Sequence, residues 1–209
     1  MGDQRPPRWL AWAREIQALS QTGLHYSNDD YQRERNERLS EIAAEIISQY
    51  AEIDFPIIMN LFRGQVGYAT PRVDVRGAAF HEGRLLLVKE RMDGGWTMPG
   101  GWADVGDVPS DSVEREVLEE AGFHVTANKL IGVYDANRVG PMEIFHAYKI
   151  VFLCEILGGN PKTSHETTEV AFFDYEQIPT PLSGERTKPR HIEDAFAAYN
   201  DPMKLAVFD

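Results

Sequence analysis

The chain changes its hydrophobic period near residue 70. Before that point Trp9, Leu10, Trp12, Ala13, Ile16 and Leu19 recur at three- and four-residue spacing, which predicts a helix ended by Gly23. Ser27 or Asn28 is placed to cap a second helix, in which Leu39, Ile42, Ala43, Ile46, Ile47 and Tyr50 share one side behind a charged first half. The run F-P-I-I-M-N-L-F predicts a short third helix closed by Gly64. So few residues make a thin core, and these stripes are expected either to pack on the next domain or to form a seam between two copies. Trp9 and Trp12 are expected in a core, the alternative being a pair that lines a ligand site.

From Arg72 onward the alternation shortens to two. R-V-D-V-R-G-A-A-F reads as a strand, H-E-G as a turn and R-L-L-L-V-K-E as the partner strand. Further strands are expected in H-V-T-A-N-K-L-I-G-V-Y-D, in F-H-A-Y-K-I-V-F-L-C-E-I-L and in V-A-F-F-D-Y, and a last helix runs from about Pro189 to the Asn200–Asp201–Pro202 stop. Strands interleaved with two helices predict an α+β fold or an α/β/α sandwich. The expected division is a helical domain over 1–68 and a larger domain over 69–209. The chain has no internal repeat or low-complexity segment.

One stretch does not fit a plain structural role. Between Gly100 and Phe123 a glycine pair and a proline-bearing loop lead into a short helix closed by Gly122. Asp111 and Glu114 have the spacing of a capping box, which starts that helix near Ser112. Glu116, Glu119 and Glu120 stand at i, i+3 and i+4, so they share a face and repel one another unless a cation neutralises them. Carboxylate oxygens suit Mg²⁺ or Mn²⁺, which proteins commonly hold between a few carboxylates and substrate phosphates. The bland alternative, a solvated acidic face, explains neither the flanking glycines nor the lone Arg115.

Gly101, Arg115, Glu116, Val117, Glu119, Glu120, Gly122 and Phe123 are in register with G-x5-E-x7-R-E-U-x-E-E-x-G-U, where U is a bulky apolar residue. The stretch thus resembles the signature of the Nudix hydrolases, with Asp107 in place of the first glutamate. The upstream W-L-A-W-A-R-E-I-Q-A-L-S-Q-T-G-L-H-Y-S and T-P-R-V-D-V-R-G-A-A-F resemble a subgroup of that family with an N-terminal helical domain, which includes CDP-choline and ADP-ribose pyrophosphatases. The resemblance implies a mixed sheet between helices, with the acidic helix on one face. It also implies Glu119 and Glu120 as metal ligands, Glu116 as ligand or general base, and Arg115 orienting the glutamates. The carbonyl of Gly100 or Gly101 is expected as an extra ligand. Asp107 is expected to be structural, contacting Arg115 or acting through a water. Relatives often add a carboxylate before the last strand; Glu166 is expected there, as ligand or base, with Glu169 as the alternative.

Other residues are tied to substrate more loosely. Arg76, Lys89 and Arg91 either face phosphates or are ordinary surface cations. Asp135, Asn137 and Arg138 lie where related enzymes carry specificity. Choline would call for an aromatic pocket, for which Tyr134, Trp96, Trp102, Trp9 and Trp12 are available. The histidines show no zinc spacing.

Composition bounds the rest. A net charge of −12 disfavours stable binding to nucleic acid or to an anionic membrane, so phosphate handling must depend on local cations and metal. Cys154 is the only cysteine, which excludes an intrachain disulfide; its apolar neighbours predict a buried thiol. With no apolar run of ~20 residues and no signal-like start, a cytoplasmic protein is expected, one that forms a homodimer through the N-terminal helices. Three functions are open: an Mg²⁺-dependent pyrophosphatase cleaving CDP-choline to CMP and phosphocholine, expected first; a hydrolase of ADP-ribose or a nucleoside diphosphate sugar; and a silent nucleotide-binding module. The intact R-E-V-L-E-E-A-G speaks against the third.

Overall fold

The computed structural model describes residues 7–136, 144–184 and 186–209. It divides into two compact units, Met1–Arg72 with Asn137–Ala147, and Val73–Ala136 with Tyr148–Asp209.

The first unit contains α1 (Arg8–Tyr26), α2 (Asp30–Ala51) and α3 (Phe55–Arg63). Gly23 does not end α1. It lies inside the helix, where an added Cβ would collide with the Asn36 side chain of α2, so it permits close packing rather than termination. The cap of α2 is Asp29, whose carboxylate accepts the Gln32 amide at 2.8 Å; Ser27 instead bonds the Gly23 carbonyl. Ala13, Ala43, Ala44, Ile47, Ile58, Met59 and Phe62 bury one another together with Ile144, so much of the apolar stripe is covered within this unit. Trp9 stacks on Tyr50, whereas Trp12 is half exposed under the Arg8 guanidinium, contrary to the core position expected of it.

The second unit is an α/β/α sandwich about one mixed sheet, the architecture expected from the sequence. Its strands are β1 (Arg72–His81), β2 (Arg84–Glu90), β3 (Trp96–Thr97), β4 (Gly100–Trp102), β5 (Phe123–Asp135), β6 (Ala147–Gly159), β7 (Thr167–Phe173) and β8 (Val207–Phe208). The order is β3-β2-β1-β6-β5-β8, with β4 on β1 and β7 on β2. Strand alternation sorts side chains into two cores. Val75, Ala79, Leu86 and Val88 meet Val113, Val117 and Ala121 of α4 (Pro109–Ala121). Ala78, Phe80, Leu85 and Leu87 meet Ile192, Ala195 and Phe196 of α5 (Pro189–Asn200). Cys154 is buried in the α4 core, where desolvation pushes its thiol up to about 12, so it is inert.

The start of α4 differs from the expected capping box. Pro109 occupies the first turn behind Val108, and no side chain caps the helix. A proline there wastes no donor and has the helical φ already, which advances the start past Asp111. Glu114 turns away and accepts the Ala127 amide of β5 at 2.8 Å. Strand β8 pairs in parallel with β5 and is too short to show a period in the sequence.

Candidate functional site

The site is built where β4 meets the N-terminal half of β1 and the acidic face of α4. Gly100 and Gly101 pair with Arg76 and Val75, and the Pro99 carbonyl accepts the Gly77 amide at 2.9 Å. Gly100 has φ 145°, and a Cβ there would strike the Val75 carbonyl, so only glycine lets β4 come this close. Its freed amide donates to Glu120 Oε2 at 2.9 Å. A Cβ on Gly101 would stand 3.0 Å from Glu116 Oε2, so both glycines bring backbone against carboxylates of α4.

The three glutamates of that face differ in environment. Glu120 is 4% exposed, and burial pushes its carboxyl up to about 7 against the pull of Arg76 and the Gly100 amide. Glu116 is also raised, chiefly by burial, with Glu119 adding repulsion and Arg115 opposing it. Glu119 is exposed. Arg115 reaches all sides of this group: 2.9 Å to Glu116, 3.8 Å to Glu119 and 3.2 Å to each of Asp104 and Asp107. Asp107 therefore contacts Arg115; Asp104 does so too, and only the return of the 101–108 loop onto α4 reveals it.

A cleft of about 530 Å³ is lined by Glu116, Glu119, Glu120 and Glu166, together with Lys162 and His165. The structure thus brings Glu166 beside the motif glutamates. Glu169 does not line this cleft; it lies on β7 and pairs with Lys89 across β2 at 2.7 Å. Hard oxygen donors, Glu120 buried and Glu116 part-buried against like charge, suit a divalent cation chemically. Among the described residues, however, no three Asp, Glu, His or Cys side chains stand together as a ready-made metal cage.

The expected substrate residues fare differently. Arg76 is neither a surface cation nor open to phosphate. It is 2% exposed, with its guanidinium gripping Asp74 through two bonds of 3.0 and 2.9 Å and reaching the Met98 carbonyl at 3.3 Å. Lys149, also buried, binds the same Asp74 at 2.8 Å, and Glu90 is held by Arg186 at 2.8 Å. An Arg in an alternating strand reads as outward-facing; the Asp74 clamp, the Lys149 that shares it and the Met98 carbonyl show otherwise. Arg91 is likewise engaged, with backbone carbonyls of residues 165 and 167. Lys89 is part-exposed and Asp135 is exposed at the end of β5. Asn137 and Arg138 lie outside the described residues. Tyr134 and Trp96 are core residues, Tyr134 bonding Asp194 at 3.0 Å, so neither offers a ring face for choline. Among the described residues no helix is long and apolar enough to cross a membrane.

Residues 70–195 match the model of the NUDIX domain, and residues 7–62 match one described as a UDP-X-like, N-terminal oligomerisation domain. YjhB of Bacillus subtilis, provisionally named an ADP-ribose pyrophosphatase, is 38% identical over 97% of both chains. A solved UDP-X diphosphatase is 28% identical with a TM-score of 0.61, over 96% of this chain and 98% of its own. An ADP-ribose pyrophosphatase structure from Streptococcus suis is 34% identical with a TM-score of 0.60, covering 67% of this chain and all of its own. Fold, motif spacing and full-length likeness converge: the chain belongs to the Nudix family and is a pyrophosphohydrolase of nucleoside diphosphates linked to a second moiety.

Proposed function

We propose that the cleft beneath α4 cleaves the pyrophosphate bond of its substrate with a divalent ion, Mg²⁺ first and Mn²⁺ second, held by Glu119, Glu120 and Glu116 with a carbonyl of Gly100. The observation that carries this reading is the convergence of those glutamates and Glu166 on one cleft. A bound ion supplies polarisation of phosphoryl oxygens and a more acidic water. The chain's own residues do the rest. Glu166, 55% exposed at the cleft with its carboxylate 3.1 Å from the His165 ring, takes a proton from the attacking water. Arg115 holds Glu116 and Glu119 at the cleft, and the Gly100 amide fixes Glu120. Water adds to one phosphorus, the bridging P–O bond breaks, and a nucleoside monophosphate and a phosphorylated second moiety leave.

For the substrate, the names of the relatives matched over nearly their whole length favour ADP-ribose or a UDP-linked compound over the CDP-choline expected from the sequence. Lys89 and Asp135 are the substrate contacts proposed among the described residues. The helical unit is proposed to join two copies in a homodimer, supported by the description of its matching model and by exposed Trp12, Leu19, Tyr31 and Ile57.

Purified protein incubated with ADP-ribose, UDP-glucose and CDP-choline under Mg²⁺ or Mn²⁺, with products resolved by chromatography, tests the substrate. ADP-ribose or UDP-glucose is expected to turn over fastest; preference for CDP-choline would restore the first expectation. Glu119→Gln and Glu120→Gln are each expected to lower turnover more than ~100-fold, since even outer-shell partners of a metal cost about 10–100-fold. Near-normal turnover of both would sink the metal assignment. A monomer by light scattering at micromolar concentration would exclude the dimer.

A further inference from the structure

The loop that carries Glu166 has an unusually complete set of anchors. Arg91, the residue after β2, donates its backbone amide to the Glu166 carbonyl at 2.7 Å. Its guanidinium donates from Nε to the His165 carbonyl at 2.9 Å and from Nη2 to the Thr167 carbonyl at 3.3 Å. Three successive carbonyls, on either side of Glu166 and at it, thus end on one arginine. The loop's amides are held from within: the Ser164 hydroxyl accepts from Glu166 at 3.0 Å and Thr167 at 3.2 Å, and the Thr167 hydroxyl accepts from Ser164 at 2.9 Å. That fully buried Thr167 hydroxyl donates in turn to the Glu120 carbonyl of α4 at 3.0 Å. The pairing of β2 with β7 shifts register between Lys89 and Glu90, where an irregularity of this kind re-aims the chain. The Glu166 side chain, by contrast, is 55% exposed, with its carboxylate 3.1 Å from the His165 ring.

We propose that Arg91 and Thr167 are positioning residues for Glu166: Arg91 fixes its backbone and Thr167 ties that backbone to the helix bearing Glu116, Glu119 and Glu120. The inference rests on the reading of Glu166 as the general base. A guanidinium suits the task because its planar fork reaches two carbonyls at once, which a lysine ammonium cannot reproduce. Misplacement of a reacting group by about 1 Å costs up to ~100-fold in rate, so loosening the loop acts on turnover rather than on binding.

The test compares Arg91→Met, Arg91→Lys and Glu166→Gln, singly and in combination, in the full chain. Arg91→Met is expected to lower kcat at least about tenfold with KM within about twofold, and Arg91→Lys to recover only part of the loss. Combined with Glu166→Gln, Arg91→Met is expected to add nothing, since both act through one carboxylate. Without metal or substrate, hydrogen exchange at the amides of residues 166 and 167 is expected to quicken in Arg91→Met while β6 stays protected. A raised KM with intact kcat would make Arg91 a substrate contact and overturn the inference, as would additive losses or unchanged exchange. Full activity of Glu166→Gln would instead overturn the reading of Glu166, and the inference with it. In Thr167→Ser, which keeps the hydroxyl, kcat is expected to stay within about threefold of normal, and in Thr167→Val to fall with Arg91→Met. Equal activity of those two variants would remove Thr167 from the proposal.

Discussion

The backbone amide of Gly100 donates to the carboxylate of Glu120 across 2.9 Å, twenty residues apart in sequence, and this bond locks the glycine strand onto the acidic helix. The bond requires that Gly100 have no side chain. With a Cβ directed at the Val75 carbonyl and φ at 145°, Gly100→Ala must shift β4 away from β1. It is expected to destabilise the protein by about 2 kcal/mol or more, by chemical denaturation, and to abolish turnover. Gly101→Ala meets only the carboxylate end of the Glu116 side chain, at 3.0 Å, rather than backbone, so it is expected to cost less than about 1 kcal/mol while still lowering activity. A reversed order of stabilities would contradict the packing of β4.

Glu120 also sets a pH dependence of the metal-free protein. Its folded pKa of about 7 lies above the ordinary carboxylate value, so the folded state binds the proton more tightly than the unfolded chain. That contribution is fully present below the unfolded pKa and is lost as pH rises through about 7. In EDTA, Glu120→Gln is expected to be more stable than the parent at pH 8, by on the order of 1–3 kcal/mol, and nearly equal to it below pH 4.5. Urea titrations at the two pH values check this. No gain at pH 8 would mean that the carboxylate is better solvated than its burial indicates.

His191 works with the opposite sign. Burial, with repulsion from Lys149, pushes its imidazole down to about 3, and its Nδ1 accepts the Lys188 amide at 3.1 Å, which requires the neutral ring. Above the unfolded pKa near 6.5 both states are neutral and the group contributes nothing. As pH falls below that value the unfolded chain takes up the proton first, and stability declines by up to ~1.4 kcal/mol per pH unit. His191→Gln keeps an acceptor and is expected to flatten the acid limb between pH 6 and pH 4. An unchanged limb would assign acid sensitivity elsewhere.

Asp74 holds two buried cations, Arg76 and Lys149, at 2.9 and 2.8 Å. Asp74→Asn removes the carboxylate charge that both cations share and is expected to cost about 3–5 kcal/mol, measured by denaturation. A loss below about 1 kcal/mol would show that water reaches this network.

Much of the site was legible because it is local. Glu116, Glu119 and Glu120 lie within five residues, and helical geometry alone puts them on one face. The glycines at 100, 101 and 122 likewise mark places where backbone must turn or approach closely, and the alternation in β1 and β2 already separates the two cores. Arg76 and Arg91 were not legible. Both sit in or beside strands where a cation reads as solvent-facing, and what buries them lies far along the chain: the Met98 carbonyl and the Lys149 that shares Asp74 for one, the carbonyls around Glu166 for the other. Gly23 misled for the same reason, since its tight neighbour is on another helix.

The acidic face can be read from the chain alone, because spacing along one helix and the identity of its carboxylates are properties of consecutive residues. Which of those charges are buried, how Glu166 rather than Glu169 comes to line the glutamate cleft, and what each arginine holds follow from the fold. Those are outcomes of strand pairing and burial, set by residues dozens of positions apart that no local period records.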